Sequence, residues 1–382
     1  MAESNICKDV IKVSVSGFNS LSSDLTELIL SILPLTSIVR ATAVCKHWHS
    51  IVTSSTFSSA VAVTRKKPFL FLYGLNNIFP RNNQLLAFDP HLDKWLNLPV
   101  FRHQNDSSFM GCNGYYVCTS GSSFSFCPIL SRDVHVTCML NCPRLNPLVG
   151  AFYDKGCELP RFIVVGGVKF VGGLVDIEDG LFVEIYNPHC GCWENCSPLP
   201  ADFRNGNTSQ SLSSALFDGK FYVYGIYSGF VSTFDLDTHV WSEVQTLRPP
   251  GLLFAFLISC NELLVLAGLC NDHRGVSFNL WSIDDKTMEF SELAIMPAEL
   301  LACLFDGHQE DYNFASLKCV GLDDLVYVFN EERHMNYTAC VCEISNISKC
   351  SWRRIPDLPV PLNHFHKVTS FCSSVSIDNI VN

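Results

Sequence analysis

The stretch RFIVVGG (161–167), followed by LFVEIYNPHCGCWENCSPLP (181–200), decides how this chain folds. A run of apolar and β-branched residues ends on a glycine pair, which lets a strand stop tightly beside its neighbour. A second alternating run leads through a polar turn to Trp193, and a Leu-Pro pair closes the unit. The same parts recur on both sides. PFLFLYG (68–74) precedes QLLAFDPHLDKWLNLP (84–99) with Trp95, and KFYVYGIYSG (220–229) precedes FVSTFDLDTHVWSEV (230–244) with Trp241. DLVYVFN (324–330) precedes YTACVCEISNISKCSWRRIPDLP (337–359) with Trp352. ELLVLAG (262–268) precedes VSFNLWSIDDKTMEFSEL (276–293), where Phe290 takes the tryptophan place. A degenerate unit, GYYVCTSG (114–121) with SSFSFCPILSRDVHVTCML (122–140), puts Val136 there.

Six units in register, roughly 40–60 residues apart with about four strands each, predict an all-β six-bladed β-propeller over 68–373. The Val-Gly-Gly at 165–167 and the Tyr/Phe-Asp strands followed by tryptophan resemble kelch repeats. The resemblance implies that each tryptophan fills the space between adjacent blades. The ring should close through the His364–Ser373 strand lying beside the first unit, because an open ring exposes strand edges.

Ahead of the repeats, residues 20–57 read SLSSDLTELILSILPLTSIVRATAVCKHWHSIVTSSTF. Leu25, Leu28, Ile29 and Ile32 fall on one helical face, and the Asp24-Leu-Thr-Glu27 spacing suits a capped first turn. Pro34 stops that helix. A second helix, capped by Thr36 or Ser37, should carry Ile38, Val39, Val44, Trp48 and Ile51. So short a segment rarely builds its own core, so this one should dock on a partner. Asp24-Leu25, Ile29-Leu30, Leu33-Pro34-Leu35, Ile38, Arg40, Val44-Cys45-Lys46, Trp48 and Ile51-Val52 resemble the F-box, although that family usually has proline where Ser22 stands. The resemblance implies a small all-α F-box over 18–60, after a tail at 1–17. It also implies a Skp-type adaptor as partner, with Leu25, Ile29, Leu33, Pro34, Leu35, Ile38, Val44, Cys45 and Trp48 as the contact residues. An F-box before kelch repeats is a plant-type architecture.

Composition limits the alternatives. The chain of 382 residues is 16% charged, with 28 Phe, 11 Tyr and 6 Trp, which argues for a large ordered core. The first sixty residues balance Lys8, Lys12, Arg40 and Lys46 against Glu3, Asp9, Asp24 and Glu27, so the body holds the whole net charge of −11. An acidic body argues against nucleic acid as a partner. The most apolar window, Gly251–Leu269, carries Asn261-Glu262 at its middle and reads as two buried strands rather than a membrane span. No signal peptide is expected, since Met1–Ser20 has no continuous apolar run. The 19 cysteines are accordingly expected as free thiols, with the protein cytoplasmic and/or nuclear.

Sites of chemistry are sparse. His189-Cys190-Gly191-Cys192 lacks the second knuckle a structural zinc site wants and is read as a blade turn, so no metal is expected. Cys340 and Cys342 alternate along one strand as core. Asp235/Asp237 and Asp284/Asp285 are read as turn formers. There is no P-loop, dinucleotide glycine motif, G-x-S-x-G or H-E-x-x-H, and no cofactor is expected. Kelch copper oxidases need a positioned tyrosine, histidines and a thioether cysteine, whereas the tyrosines and cysteines here fit blade positions. More suggestive are the loops expected at one end of the ring, which bring Arg81, Arg102, Arg204, Arg248, Arg274 and Arg333 from different blades. The resemblance thus implies a non-catalytic substrate receptor of a Skp–cullin–F-box ubiquitin ligase. The adaptor would link it to cullin and RING subunits, and the loop arginines would take a target protein. A propeller enzyme or ligand-binding protein, and an F-box protein acting outside the ligase, stay open as alternatives.

Overall fold

The structure is a computed structural model. It describes residues 21–64, 67–76, 79–100, 108–131, 133–154, 156–157, 159–171, 174–176, 181–206, 208–260, 263–273, 275–305, 314–333, 336–346, 349–362, 367–377 and 379. The tail at 1–17 lies outside them. The chain divides into two compact units, parting between residues 65 and 66.

The first unit is helical: α1 (Ser23–Ser31), α2 (Leu35–Ala41), α3 (Lys46–Val52) and α4 (Ser55–Thr64). Four helices form where the sequence reading gave two. The expected second helix breaks at Thr42–Cys45, and the Cys45 sulfur accepts the Trp48 N–H at 3.4 Å to start α3. Ser22, rather than Asp24, caps α1 by accepting the Leu25 N–H at 3.3 Å. Thr36 and Ser37 do not cap α2, which begins directly after Pro34, a residue pre-set for a helix start. Leu30, Leu35, Ile38, Ile51, Val52, Phe57 and Val61 form its buried interior.

The second unit is a ring of six four-stranded antiparallel sheets. From inner to outer strand, blade 2 runs Ser108–Cys112, Tyr115–Ser120, Ser123–Pro128, His135–Val136. Blade 3 runs Leu148–Phe152, Arg161–Val165, Val183–Asn187, Cys192–Asn195. Blade 4 runs Leu212–Phe217, Lys220–Gly225, Phe230–Asp235, Gln245–Thr246. Blade 5 runs Leu252–Cys260, Leu263–Asp272, Gly275–Ile283, Phe290–Ile295. Blade 6 runs Leu317–Leu322, Leu325–Asn330, Ala339–Asn346, Lys349–Arg354. Blade 1 takes its inner strand, Lys367–Ser373, from the far end of the chain, ahead of Phe69–Leu75, Gln84–Asp89 and Lys94–Leu98. Second strands are apolar on both faces because each is sandwiched between neighbouring blades. Phe69–Leu75 is buried throughout, and each such Leu or Phe contributes about 1.5–3 kcal/mol. The apolar window at 251–269 resolves into the first two strands of blade 5. Among the described residues no helix is long and apolar enough to cross a membrane.

Closure follows the expected route, with positions 364–366 of the expected strand outside the described residues. Lys367–Ser373 pairs antiparallel with Phe69–Leu75, Phe71 opposite Phe371, and the two rings stack 5.2 Å apart. Phe371 also lies over blade 2, where a Cβ on Gly111 would fall 2.0 Å from its ring atoms. Gly166 and Gly167 end the second strand of blade 3 at φ 63° and 95°. At Gly167 a Cβ would meet the Leu145 carbonyl at 3.0 Å, so the pair permits a close approach as well as a turn.

The tryptophans stand at equivalent places. Phe88 faces Trp95, Tyr186 faces Trp193, Phe234 faces Trp241, and Cys342 faces Trp352, each third strand opposite the segment that follows it. The indole N–H groups of three of them staple blades together. Trp95 donates to the Pro356 carbonyl at 2.8 Å, Trp193 to that of Cys138 at 3.0 Å, and Trp241 to that of Ser197 at 2.9 Å. Each acceptor lies in the exit from the preceding blade. Trp193 is fully buried and the other three half-buried, since the outer strand leaves one ring edge open. In blade 2 the outer strand is reduced to two residues: Val136 pairs with Ser125, and His135 pairs with Phe126 and stacks on it at 5.1 Å.

The turn after the third strand also repeats in blades 1, 3, 4 and 5. The side-chain oxygen of Asp89, Asn187, Asp235 or Asp284 accepts the N–H two residues on, at 2.9, 3.1, 3.0 and 2.9 Å. The fourth residue on, Asp93, Gly191, His239 or Met288, has a left-handed backbone. Asp235 and Asp284 are turn formers, as their positions predicted.

Candidate functional site

Two surfaces can hold a partner. On the helical unit, α1 turns Thr26, Leu30 and Ser31 inward. Its longer apolar stripe looks outward, with Leu25 50% exposed, Leu28 58% and Ile32 66%. Val39 and Val44 add to the exposed apolar surface of the unit, while Ile29, Leu33, Pro34 and Trp48 are half-buried. A helix normally hides such a stripe, and here the unit fills its core from other positions. Leu35 and Ile38, read from the sequence as contact residues, are buried in that core and support the surface from beneath. Cys45 is exposed but engaged as the cap of α3. The sequence reading found Leu28, Ile32 and Val39 as apolar helix positions but left them out of the contact set. Burial of the opposite side of α1 leaves Leu28 and Ile32 facing outward.

On the propeller, strand alternation sends every second-to-third loop and every blade-to-blade link to one end. Arg81 sits there on the 3-10 turn Pro80–Asn82 of blade 1, and Arg204 on the turn Ala201–Gly206 between blades 3 and 4. Both are exposed. Arg248 and Arg333 leave from the same end but serve the frame. Arg248 donates to the Tyr227 carbonyl at 2.8 Å and the Leu252 carbonyl at 3.1 Å, and Arg333 donates to the Cys303 carbonyl at 3.4 Å. Carbonyls of irregular loops lack a ladder partner, and a guanidinium can satisfy two at once. Arg102 and Arg274 lie outside the described residues. Phe79, 61% exposed, and Tyr227, 51% exposed, stand in loops of this same end.

The six inner strands enclose a central cavity of ≈ 1350 Å³. Lys318, Glu331, Glu332 and Lys367 line it toward the loop end, with Lys318 Nζ 3.9 Å from the Glu331 carboxylate. Burial pushes the Glu331 carboxyl up, and Lys318 and Lys367 oppose the shift. Charges of both signs compensate one another there.

A buried pair escaped the sequence reading. Arg144, in the link from blade 2 to blade 3, meets Glu184 with both side chains almost wholly buried. Arg144 also donates to the Phe182 carbonyl at 2.7 Å and the Gly166 carbonyl at 3.2 Å, while Glu184 accepts the Asn141 N–H at 2.8 Å. Loss of hydration lowers the Arg144 pKa from its ordinary value, and Glu184 opposes that. The signal was available: Glu184 is a lone charge in the middle of the apolar strand LFVEIY.

Comparison with known proteins agrees with both units. A profile of the F-box domain matches residues 18–59. An F-box/kelch-repeat protein of Arabidopsis thaliana is 26% identical over 386 residues, covering 95% of this chain and 92% of the relative. A second F-box/kelch-repeat protein of that plant is 31% identical over 355 residues, covering 84% of this chain and 81% of the relative. This chain belongs to the F-box/kelch-repeat family. Another Arabidopsis thaliana relative, the protein UNUSUAL FLORAL ORGANS, is 23% identical over 379 residues and covers 90% and 79%. For an F-box/kelch-repeat protein, the outward stripe of α1 lies within the stretch that the F-box profile matches. Ser22, at the family's usual proline, keeps the start of α1 by capping it.

Proposed function

We propose that this F-box/kelch-repeat protein is the substrate-recognition subunit of a Skp–cullin–F-box ubiquitin ligase and carries out no chemistry itself. The helical unit binds the Skp-type adaptor, and through it cullin and RING subunits. The propeller's loop end takes the target protein, so the ligase gains rate by holding a target lysine at high effective concentration. The observation that carries the reading is the apolar stripe Leu25, Leu28 and Ile32 facing away from the core of its own unit. At the loop end, Arg81, Arg204, Phe79 and Tyr227 supply the residue types that dominate protein interfaces, and they suit a target segment bearing carboxylates or phosphate.

The test is capture of a purified Skp-type adaptor. Leu28→Ala with Ile32→Ala should weaken binding by about 2–4 kcal/mol while helix content stays unchanged. Arg81→Ala with Arg204→Ala should leave adaptor binding intact and deplete captured target proteins. Full adaptor affinity in the first variant would refute the docking face. An unchanged set of targets in the second would refute the arginine surface.

A further inference from the structure

The third-to-fourth turn of blade 3 carries chemistry that the turn does not need. Asn187 caps it, and Gly191 supplies its left-handed residue at φ 64°. The same turn in blade 1 is built from His91, Leu92, Asp93 and Lys94, and in blade 4 from Asp237, Thr238, His239 and Val240, without sulfur. In blade 3 these places hold His189, Cys190, Gly191 and Cys192, and Cys190 and Cys192 are joined as a disulfide. That bond is an exception to the free thiols expected throughout, and the other sixteen cysteines among the described residues are free. Cys340 and Cys342 share the spacing yet stay free, because they lie on a strand. Side chains at i and i+2 of a strand run parallel about 6.6 Å apart, well beyond the Cβ spacing of a disulfide. The left-handed Gly191 folds the blade 3 turn, and the Cys190 and Cys192 Cα atoms come within 5.5 Å. The bond does little as a brace, since closing a loop of three residues removes little chain entropy. Cys190 is exposed on the rim, open to attack. A Glu194 carboxylate oxygen, held at 2.9 Å by Asn187 Nδ2, lies within 4.8 Å of both sulfurs. Its charge repels a thiolate at either place but not the neutral disulfide.

We propose that Cys190 and Cys192 form a reversible thiol–disulfide exchange site whose substrate is a thiol, and that its state reaches the contact between blades 2 and 3 through Trp193. A substrate thiolate attacks the Cys190 sulfur, a mixed disulfide forms, and the electron pair of the Cys190–Cys192 bond leaves on Cys192. A second substrate thiolate attacks the substrate sulfur of the mixed disulfide, and Cys190 leaves with that pair. The two protons given up by the substrate thiols end on Cys190 and Cys192. Two thiols have become one disulfide, and the chain has gained two electrons and two protons. The reverse steps restore the bond. Cys192 begins the outer strand and pairs with Asn187. Beside it, Trp193 donates to the Cys138 carbonyl and stands edge-on to the Phe124 ring at 4.8 Å, both on the side of blade 2. The closed bond ties the start of that strand to the turn, and the open dithiol leaves it held by strand pairing.

The test equilibrates the full chain, without oxygen, in mixtures of glutathione and its disulfide, then alkylates free thiols and maps the peptides by mass. The peptide bearing Cys190 and Cys192 should pass from about nine-tenths disulfide to about nine-tenths dithiol as the squared glutathione concentration over that of its disulfide rises about 100-fold, as a two-electron exchange requires. The other cysteines should stay thiols across that range. Tryptophan emission should shift over the same range in the wild type, and the shift should vanish in Trp193→Phe and in Cys190→Ser with Cys192→Ser. Near-ultraviolet circular dichroism reports that each variant keeps its blades. A Cys190–Cys192 bond that survives excess glutathione in the folded chain, or thiols there that survive excess glutathione disulfide, would overturn the exchange site. So would oxidation that reaches the other cysteines first. Emission that ignores the redox state would overturn the link through Trp193.

Discussion

Asp235 and Asp284 hold their turns through backbone N–H groups, chiefly those of Thr238 and Thr287. Those bonds lower both carboxyl pKa values. A carboxylate depressed in the folded state lends stability that is present above its unfolded pKa and lost as pH falls through the folded one. Asn187 makes the equivalent turn with a neutral amide. Asp235→Asn with Asp284→Asn should therefore keep the fold and be slightly less stable than wild type at neutral pH. The deficit should shrink as the pH drops below the ordinary carboxylate range, and urea melts at neutral and acid pH would read it. A deficit that ignores pH would mean the charges contribute nothing. Trp241→Phe should cost about 1 kcal/mol in a similar melt, because the ring remains but its bond to the Ser197 carbonyl is lost. The tryptophan places were legible because an indole is large and rare. The stacking of His135 on Phe126 in blade 2 was not, since which residue of the outer strand faces Phe126 depends on cross-strand register, and a one-residue slip exchanges the two faces.

At the scale of the element, hydrophobic periodicity identified the stripe on α1 but could not say which way it points. That depends on Phe57 and Val61 of α4, the first at the very end of the stretch that carried the helical reading and the second beyond it, which help fill the core. The break between α2 and α3 was hidden for a related reason, because a cysteine sulfur capping Trp48 is not a usual cap. Buried and exposed positions should separate cleanly. Ile38→Ala should destabilise the helical unit by about 2–5 kcal/mol and lower its helix content, whereas changes at Leu28 or Ile32 should leave helix content alone. In the propeller, Gly111→Ala should loosen the closing strand, since the added methyl meets the Phe371 ring at 2.0 Å. Hydrogen exchange on Lys367–Ser373 should accelerate before that of blade 4. Uniform acceleration across the ring would mean the strand is not the local weak point.

For the whole molecule, six blades and their closure could be read from the repeats, because second strands buried on both faces are compositionally distinct. The standing of the rim arginines could not. Whether an exposed guanidinium is bound to loop carbonyls, as Arg248 is, depends on residues from other parts of the chain. The same non-locality shapes how the protein is made. Phe69–Leu75 leaves the ribosome early, yet its inner partner Lys367–Ser373 follows roughly 300 residues later, and long-range strand pairing of this kind is slow. Throughout that interval the nascent chain carries a finished set of N-terminal helices and a ring with an unsealed seam. A chain broken off before residue 367 would keep the helices and never seal. If the helices bind an adaptor as proposed, it would compete with intact copies for that adaptor while delivering nothing, so a premature stop late in the reading frame should do more harm to the cell than an absent gene.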